Sequence, residues 1–559
     1  MACLLWATAT MASAQGVLTQ HNDAARTGAN LQETVLTPAS VKRGFGKLFS
    51  RNVDGQIYAQ PLIATGVEMP GKGRRNVVYV ATMKNNVYAF DSDLRDEVTP
   101  FWKVNLGNPV PYEWIPLNWG SIALQYNIKP FIGITSTPVV DQSSGRLWVS
   151  VKSMESDDDL RYILYCLEIS TGKILAKSKP IESGDGDDKL QAKTALQRPG
   201  LLLVKKSPPA VEQDMVYLAF GSQQDGGFFH GWVVAFDAQS LDQKYVFNTT
   251  PGDLLGEGGI WQAGNGLASD VSGNIYLMTG NGAFERDLRY GSSFVKLSPK
   301  LKVLDWFTPS NHGWLTLADV DLGSSGPLLL PGSNQLVGGG KQGKFYLLDG
   351  DKMGKLQPPH SVAPALQEFK VSSHWTLNWL SWLIPVFGYH HIHGSPVYWK
   401  SALNGPLVYV WPEESPLKAF QYDPVSHFKT KAFLTGSQAP KGMPGGFLSV
   451  SANLDRDGLL WASTPFDSDA LVATVRGNFR VFDANTLEPL WSTAKNDPAD
   501  QFNFAKYCPP TVANGKVYLA TFSDQLYVYG LMKAKPIRPD WTTKGKMPQK
   551  GHGHGRMRM

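Results

Sequence analysis

Short apolar runs separated by polar turns recur along the whole chain, and the runs come in pairs. The clearest pair is residues 77–82 and 87–91, with Asn85-Asn86 at the turn between them. The same pattern returns at 216–220 with 232–237, 338–341 with 345–349, 459–462 with 479–483, and 517–521 with 526–530. Weaker copies open near Leu147, Ile275 and Leu407, with second runs at 163–167, 294–297 and 419–423. The starts lie roughly 50 to 70 positions apart, a spacing that suits a repeated four-stranded unit.

A third run precedes many pairs and opens on a proline, at Pro61, Pro138, Pro327, Pro396 and Pro510. Proline is tolerated at a strand's first residue, where its missing N–H breaks no ladder. A fourth run follows with a bulky aromatic, at Trp102, Trp306 and Trp491. Large rigid side chains are what face-to-face packing of sheets requires. The last unit lacks its fourth run, because the chain turns basic and polar after Leu531, while an unassigned run at 46–51 precedes the first unit. The pattern therefore predicts an all-β, β-propeller-like ring over residues 44–531, eight units by count although periodicity alone does not separate seven blades from eight, closed by the N-terminal strand pairing beside Val528. Closure would remove the exposed sheet edges that invite aggregation.

Outside the ring, residues 1–14 run from an apolar stretch into Ala12-Ser13-Ala14, the pattern of a secretory signal peptide cut after Ala14. That implies a secreted or periplasmic protein. Residues 15–43 form an N-terminal extension, and 532–559 a basic, flexible tail containing Gly551-His552-Gly553-His554-Gly555. The apolar run 375–389 contains Pro385 and is too short to span a bilayer, so no transmembrane segment is expected.

Composition adds limits. Hydrophobic residues are 42% and charged residues 18%, enough for a large core and too few charges for a disordered chain. A net charge of +5 spread over 559 residues gives no basic stripe, which excludes nucleic acid as an expected partner. Of three cysteines, Cys3 lies in the leader, and Cys166 and Cys508 are expected to be buried thiols. A monomer is expected.

The chemistry of a propeller collects at one axial mouth, where the innermost strands begin. His391 and His393 alternate on one strand face just before the Pro396 step. Such a pair can act as acid and base, or bind a metal if His230, His21, Asp225 or Glu257 supplies a third ligand. Histidines at a crowded rim are also often consumed by backbone groups. Asp225 and His230 share a glycine-flanked loop and are candidates for an acid–base pair. Trp261 follows Gly258-Gly259 and can stack on a sugar or quinone ring, although most tryptophans end in a core. Gln60, Arg198, Lys341 and Lys506 stand near inner-strand starts. Converging cations there would take an anion such as a uronate or a quinone carboxylate. The sequence has no Gly-Lys-Ser/Thr loop, no Gly-x-Ser-x-Gly elbow and no cysteine-rich zinc pattern.

The copy Asp483-Ala484-Asn485-Thr486-Leu487-Glu488-Pro489-Leu490-Trp491 resembles the pyrroloquinoline-quinone (PQQ) type of propeller repeat. From about residue 17 to 531 the chain resembles exported bacterial PQQ-binding-like propeller proteins. The segments that carry this are His21-Asn22-Asp23 with Arg26-Thr27-Gly28, Gly258-Gly259-Ile260-Trp261, Thr279-Gly280-Asn281-Gly282, Asp321-Leu322-Gly323-Ser324-Ser325-Gly326-Pro327, His391-Ile392-His393-Gly394-Ser395-Pro396 and Met443-Pro444-Gly445-Gly446. The resemblance implies an eight-bladed fold and little about activity. Quinoprotein alcohol dehydrogenases share that fold and carry adjacent cysteines over the cofactor; here no two cysteines are adjacent, and no Cys-x-x-Cys-His haem motif is present. Calcium ligands would have to come from residues such as Glu257, Asn265 and Asn281. Residues 341–349 are similar to those enzymes' basic-Asn-Gly-apolar-Asp segment, with Gln342 where Asn is usual. Three functions remain open: a scaffold binding a small molecule, carbohydrate or envelope polymer at its axial mouth; a PQQ- and metal-dependent dehydrogenase with Ca²⁺; and a propeller polysaccharide lyase using histidine as base.

Overall fold

The computed structural model describes residues 16–115, 127–156, 159–223, 228–253, 256–356, 365–372, 391–436, 442–493 and 500–532. The leader, Asp225, the apolar run 375–389 and the tail from residue 533 lie outside the described residues.

Eight antiparallel sheets follow one another around the chain as expected. Blade 1 comprises Leu62–Met69, Gly73–Ala81, Asn86–Asp91 and Trp102–Asn105, from the axis outward. Blades 2 to 8 open with innermost strands Val139–Asp141, Leu202–Val204, Ala268–Ser269, Leu328–Leu329, Val397–Ser401, Phe447–Asn453 and Thr511–Ala513. Among the described residues the α-helices are Pro38–Gly44 and His312–Leu317, and no helix is long and apolar enough to cross a membrane.

The middle strands read as continuous apolar runs because both of their faces are covered. Met215–Ser222 of blade 3 is buried at every position. Its Tyr217 and Ala219 enter one core cluster, while Val216, Leu218 and Phe220 enter the cluster on the other side. A recurring hydrogen bond ties five of these strands to the next blade. Tyr79 Oη donates to Ile169 O (3.0 Å), Trp148 Nε1 to Ala238 O (2.9 Å), Tyr217 Oη to Pro299 O (2.8 Å) and Tyr409 Oη to Ala484 O (2.9 Å). In blade 8, Tyr518 Oη returns the chain of contacts to Ser92 O of blade 1 (3.2 Å). An aromatic body fills the space between sheets while its polar tip finds an otherwise orphaned turn carbonyl.

Closure is as the sequence implied. Phe45–Asn52 pairs antiparallel with Gln525–Leu531 as the outer strand of blade 8, with Phe49 opposite Val528. Helix Pro38–Gly44 delivers this strand. It starts in a capping box, with Ser40 N donating to Thr37 Oγ1 (3.1 Å) and Thr37 N to Ser40 Oγ (2.8 Å).

The N-terminal extension has a role that the apolar pattern did not show. Residues 17–30 run around the axis and bond the innermost strand of each blade in turn. Ile63 N (blade 1) donates to Val17 O, Val140 N (blade 2) to Leu18 O, Ser269 N (blade 4) to Ala24 O and Leu329 N (blade 5) to Ala25 O. Tyr398 N (blade 6) donates to Thr27 O and Val450 N (blade 7) to Gly28 O. Blade 3 is reached by Arg26, whose Nη2 donates to Leu201 O, and blade 8 by Asn30, whose Nδ2 donates to Val512 O. The inner strands would otherwise present unpaired backbone groups to the axis. This strap satisfies them.

Cys166 and Cys508 are buried free thiols, in separate core clusters. Burial pushes the Cys166 thiol up to about 11, so neither its position nor its chemistry suits a reactive thiol.

Candidate functional site at the axial mouth

The residues just before the innermost strands, and those just after the second strands, meet at one end of the axis. Close backbone approach makes this possible. A Cβ on Gly394 would collide with Gly446 O, so the His391–Ser395 stretch entering blade 6 lies directly against the Met443–Gly446 stretch entering blade 7. A Cβ on Gly280 would strike both Trp261 Nε1 and Asp321 Oδ1, so Trp261 sits beside the Asp321 carboxylate only because residue 280 is glycine.

Three groups form the site. In the first, Lys341 is a half-buried, paired ammonium rather than an open cation for an anionic ligand. Its Nζ lies 2.7 Å from Asp321 Oδ2 and 3.0 Å from Asp319 Oδ1. Burial opposes the Lys341 charge, but the two carboxylates outweigh it and hold the ammonium above its usual range. Asn281 fixes the carboxylates in turn, its N donating to Asp321 Oδ1 and its Nδ2 to Asp319 Oδ1, both at 2.9 Å.

In the second, the Arg198 guanidinium lies 4.5 Å from the Tyr507 ring centroid and 5.6 Å from that of Trp261. Its Nε donates to Trp261 O (3.3 Å). Among the described residues no carboxylate pairs with Arg198. Tyr507 holds a left-handed backbone (φ 67°), as do nearby Gln262 (37°) and Glu257 (69°). Such conformations cost of order 1 kcal/mol each and gather at working sites.

In the third, His391, His393 and Glu413 bring their ligand atoms within 4.8 Å of one another. His391 Nδ1 is 3.2 Å and His393 Nε2 3.8 Å from Glu413 Oε2. Burial, then the charges of His391, Lys341 and Arg198, drives His393 well below the usual histidine range. Burial, then Asp469 and Glu414, pushes the Glu413 carboxyl up to about 8.

Other sequence candidates are placed elsewhere or are already engaged. His230 is buried between Thr250 Oγ1 (2.9 Å from Nδ1) and Asp188 Oδ1 (3.2 Å from Nε2). Its acidic neighbour is therefore Asp188, and it does not join the His391 group; Asp225 lies outside the described residues. His21 and Glu257 do not join that group either, and Glu413 takes the place expected of them. Burial, then the Arg26 charge, lowers His21 to about 3. Gln60 is a strap anchor rather than a ligand contact: its Oε1 accepts from His21 N (3.1 Å) and its N donates to Thr137 Oγ1 (2.9 Å). Lys506 does reach the region of Arg198, but its Nζ is spent on the carbonyls of Asn127, Ala470 and Leu471. Burial, then the Arg198 charge, lowers it to about 7. Asn265 drops out of a calcium set, since its Nδ2 donates to Pro327 O and its Oδ1 accepts from Gly266 N.

Glu257 gives a measurable consequence. Burial first, then the charges of Asp321, Asp319 and Asp253, pushes its carboxyl up to about 7. Because the folded pKa is raised, ionising Glu257 costs stability. The cost begins above the ordinary carboxylate pKa and is complete above about pH 7. Glu257→Gln removes it. The variant is expected to be more stable than wild type by about 1 kcal/mol near pH 8, discounted for partial exposure, and indistinguishable near pH 4.5. Denaturant melts at the two pH values check this.

Glu413 is the residue that sequence reasoning missed, and it shares a position with two that it named. Asn281, Lys341 and Glu413 all lie just past second strands, Ile275–Met278, Gln335–Gly339 and Gly405–Val410. The signal was a polar residue breaking the apolar repeat at the same place in three consecutive blades.

No family model matches the chain, and no curated protein matches it in sequence. Solved structures do match in shape. The quinohemoprotein alcohol dehydrogenase ADHIIG of Pseudomonas putida HK5 aligns with a TM-score of 0.56 at 14% identity, over 94% of this chain and 82% of that one. The quinohemoprotein alcohol dehydrogenase of Comamonas testosteroni gives 0.56 at 15%, over 96% and 82%. A europium-containing methanol dehydrogenase gives 0.56 at 13%, over 92% and 98%. At such identities the likeness is one of architecture, and the chain has the eight-bladed fold of the quinoprotein dehydrogenase propellers.

Proposed function

We propose that the axial mouth binds a small, ring-bearing carboxylate, with Arg198 as its anchor. The observation that carries this is the Arg198 guanidinium, over the Tyr507 and Trp261 rings with one carbonyl contact and no carboxylate partner among the described residues. A planar fork held rigid by aromatic neighbours is preorganised for bidentate binding of a carboxylate. The Trp261 ring beside it offers a face for a sugar or an aromatic ring. Lys341 adds positive potential but is neutralised by its own aspartates. Export, which residues 1–14 imply, fits a ligand drawn from the envelope or the medium, such as a uronate.

A second reading, oxidation of an alcohol with bound PQQ, is favoured by the architecture shared with the quinohemoprotein and methanol dehydrogenases. PQQ is itself a planar polycarboxylate, so Arg198 and Trp261 are the residues that would hold it. When bound it would accept the electrons of the oxidised alcohol. The buried, separated cysteines supply no cover for its face.

Isothermal titration and thermal melting against galacturonate, glucuronate, oligouronides and PQQ with and without Ca²⁺ test both readings. A ligand at a hundred times its Kd stabilises the native state by about 2.7 kcal/mol. Binding by a uronate that is lost in Arg198→Ala and Trp261→Ala supports the first reading. Binding by PQQ alone supports the second. No shift with any of them removes both.

A further inference from the structure

We propose that His391, His393 and Glu413 form a site for one divalent transition-metal ion of the zinc type, a feature that does not depend on the Arg198 ligand. A zinc ion bonds imidazole nitrogen and carboxylate oxygen at about 2.0–2.2 Å, so tetrahedral geometry puts its donors roughly 3.3–3.5 Å apart. The two measured separations, 3.2 Å and 3.8 Å from Glu413 Oε2, bracket that range. All three donors lie within 4.8 Å of one another.

A second observation also points to a cation. His393 is 4% exposed, and its Nε2 and the Glu413 Oε2 are both buried with no hydrogen-bond partner among the described residues. Buried polar atoms of this kind cost free energy unless something satisfies them, and a metal ion satisfies both at once.

The backbone is arranged to hold the donors still. Glu413 N donates to His391 O (2.9 Å), which ties the carboxylate's residue to the histidine segment. Ser324 Oγ donates to Ile392 O (2.7 Å), fixing the backbone between the two imidazoles. Gly394 seats it against Gly446. Two histidines and one carboxylate make three protein ligands, which leaves a fourth position for water or for a ligand oxygen, the pattern of a working rather than a purely structural zinc site. Imidazole with carboxylate favours zinc or a neighbouring first-row ion over calcium or magnesium, which prefer all-oxygen cages.

The test uses the full chain carrying His552→Ala and His554→Ala, so that the tail histidines contribute no metal. After chelator treatment and dialysis, Zn²⁺ is titrated by calorimetry and the bound metal counted by elemental analysis. Co²⁺ is added in parallel and its visible absorption recorded. One equivalent of Zn²⁺, a raised melting temperature and the intense visible bands of four-coordinate Co²⁺ are expected. His393→Ala and Glu413→Gln are each expected to weaken Zn²⁺ binding by roughly a hundredfold or more, while Arg198→Ala keeps it. Should His393→Ala fail to fold, Glu413→Gln and the wild-type Co²⁺ spectrum still decide. A folded wild-type chain that binds no Zn²⁺, or variants that bind it unchanged, would overturn the proposal. Metal binding without uronate binding would sink the Arg198 reading alone.

Discussion

Arg26→Ala is expected to lower stability by about 4 kcal/mol or more, the largest loss of any single substitution considered for this chain. Arg26 is 0% exposed. Its Nε donates to Leu267 O (2.8 Å), Nη1 to Gln20 O (2.7 Å) and Thr19 Oγ1 (2.9 Å), and Nη2 to Leu201 O (3.3 Å). One guanidinium thus links the strap to blades 3 and 4. Removing it leaves several carbonyls buried without a donor, each costing about 1–3 kcal/mol, and opens a void where a long side chain had packed. Arg26→Lys is expected to recover only part of the loss, because a single ammonium cannot serve carbonyls lying in several directions. Urea melts of the three proteins check the order wild type, Arg26→Lys, Arg26→Ala.

The second large effect is at ring closure. Phe45→Ala is expected to cost about 3–5 kcal/mol. Phe45 opens the closing strand, and its ring lies 5.1 Å from Trp491, 5.4 Å from Trp461, 6.2 Å from Tyr529 and 6.4 Å from Phe479. These rings belong to blades 7 and 8, so Phe45 fills the seam between them, and its edge and stacked contacts add to simple burial. Phe49, on the same strand, is only partly buried, and Phe49→Ala is expected to cost less than half as much. Both variants keep the backbone pairing, so their difference isolates packing at the seam. An opened blade 8 would also expose Gln525–Leu531 as an apolar edge, and concentration-dependent aggregation of Phe45→Ala is the expected accompaniment.

The fold was legible because blades repeat. Eight apolar pairs, proline-led inner strands and aromatic outer strands are local signals, and the missing fourth strand of the last unit left one place for residues 46–51 to go. Phe49 opposite Val528 follows from counting strands. The strap was not legible, since residues 17–30 are held by backbone carbonyls and by Arg26, and neither leaves a periodic trace. The site was half legible. His391 and His393 stand two positions apart in the segment leading into Val397–Ser401, so sequence spacing put them together although no strand forms there. Glu413 is some twenty positions away and joins them only through the fold. Cations misled in a different way: Lys341 and Lys506 do lie at the mouth, but Asp319, Asp321 and three carbonyls consume them, and of the three cations Arg198 is the one with a single carbonyl contact and no carboxylate among the described residues. Counting basic residues near strand starts cannot reveal which ones have partners.

The central claim is a ring whose inner edges are stitched by residues 17–30. Amide hydrogen exchange, resolved by mass spectrometry, tests it most directly. The amides of Ile63, Val140, Ser269, Leu329, Tyr398 and Val450 each donate to the strap. They are expected to be strongly protected in the wild-type chain and to lose protection together in Arg26→Ala, under conditions where both proteins remain folded. Fast exchange at these six positions in the wild type, or protection unchanged in the variant, would contradict it.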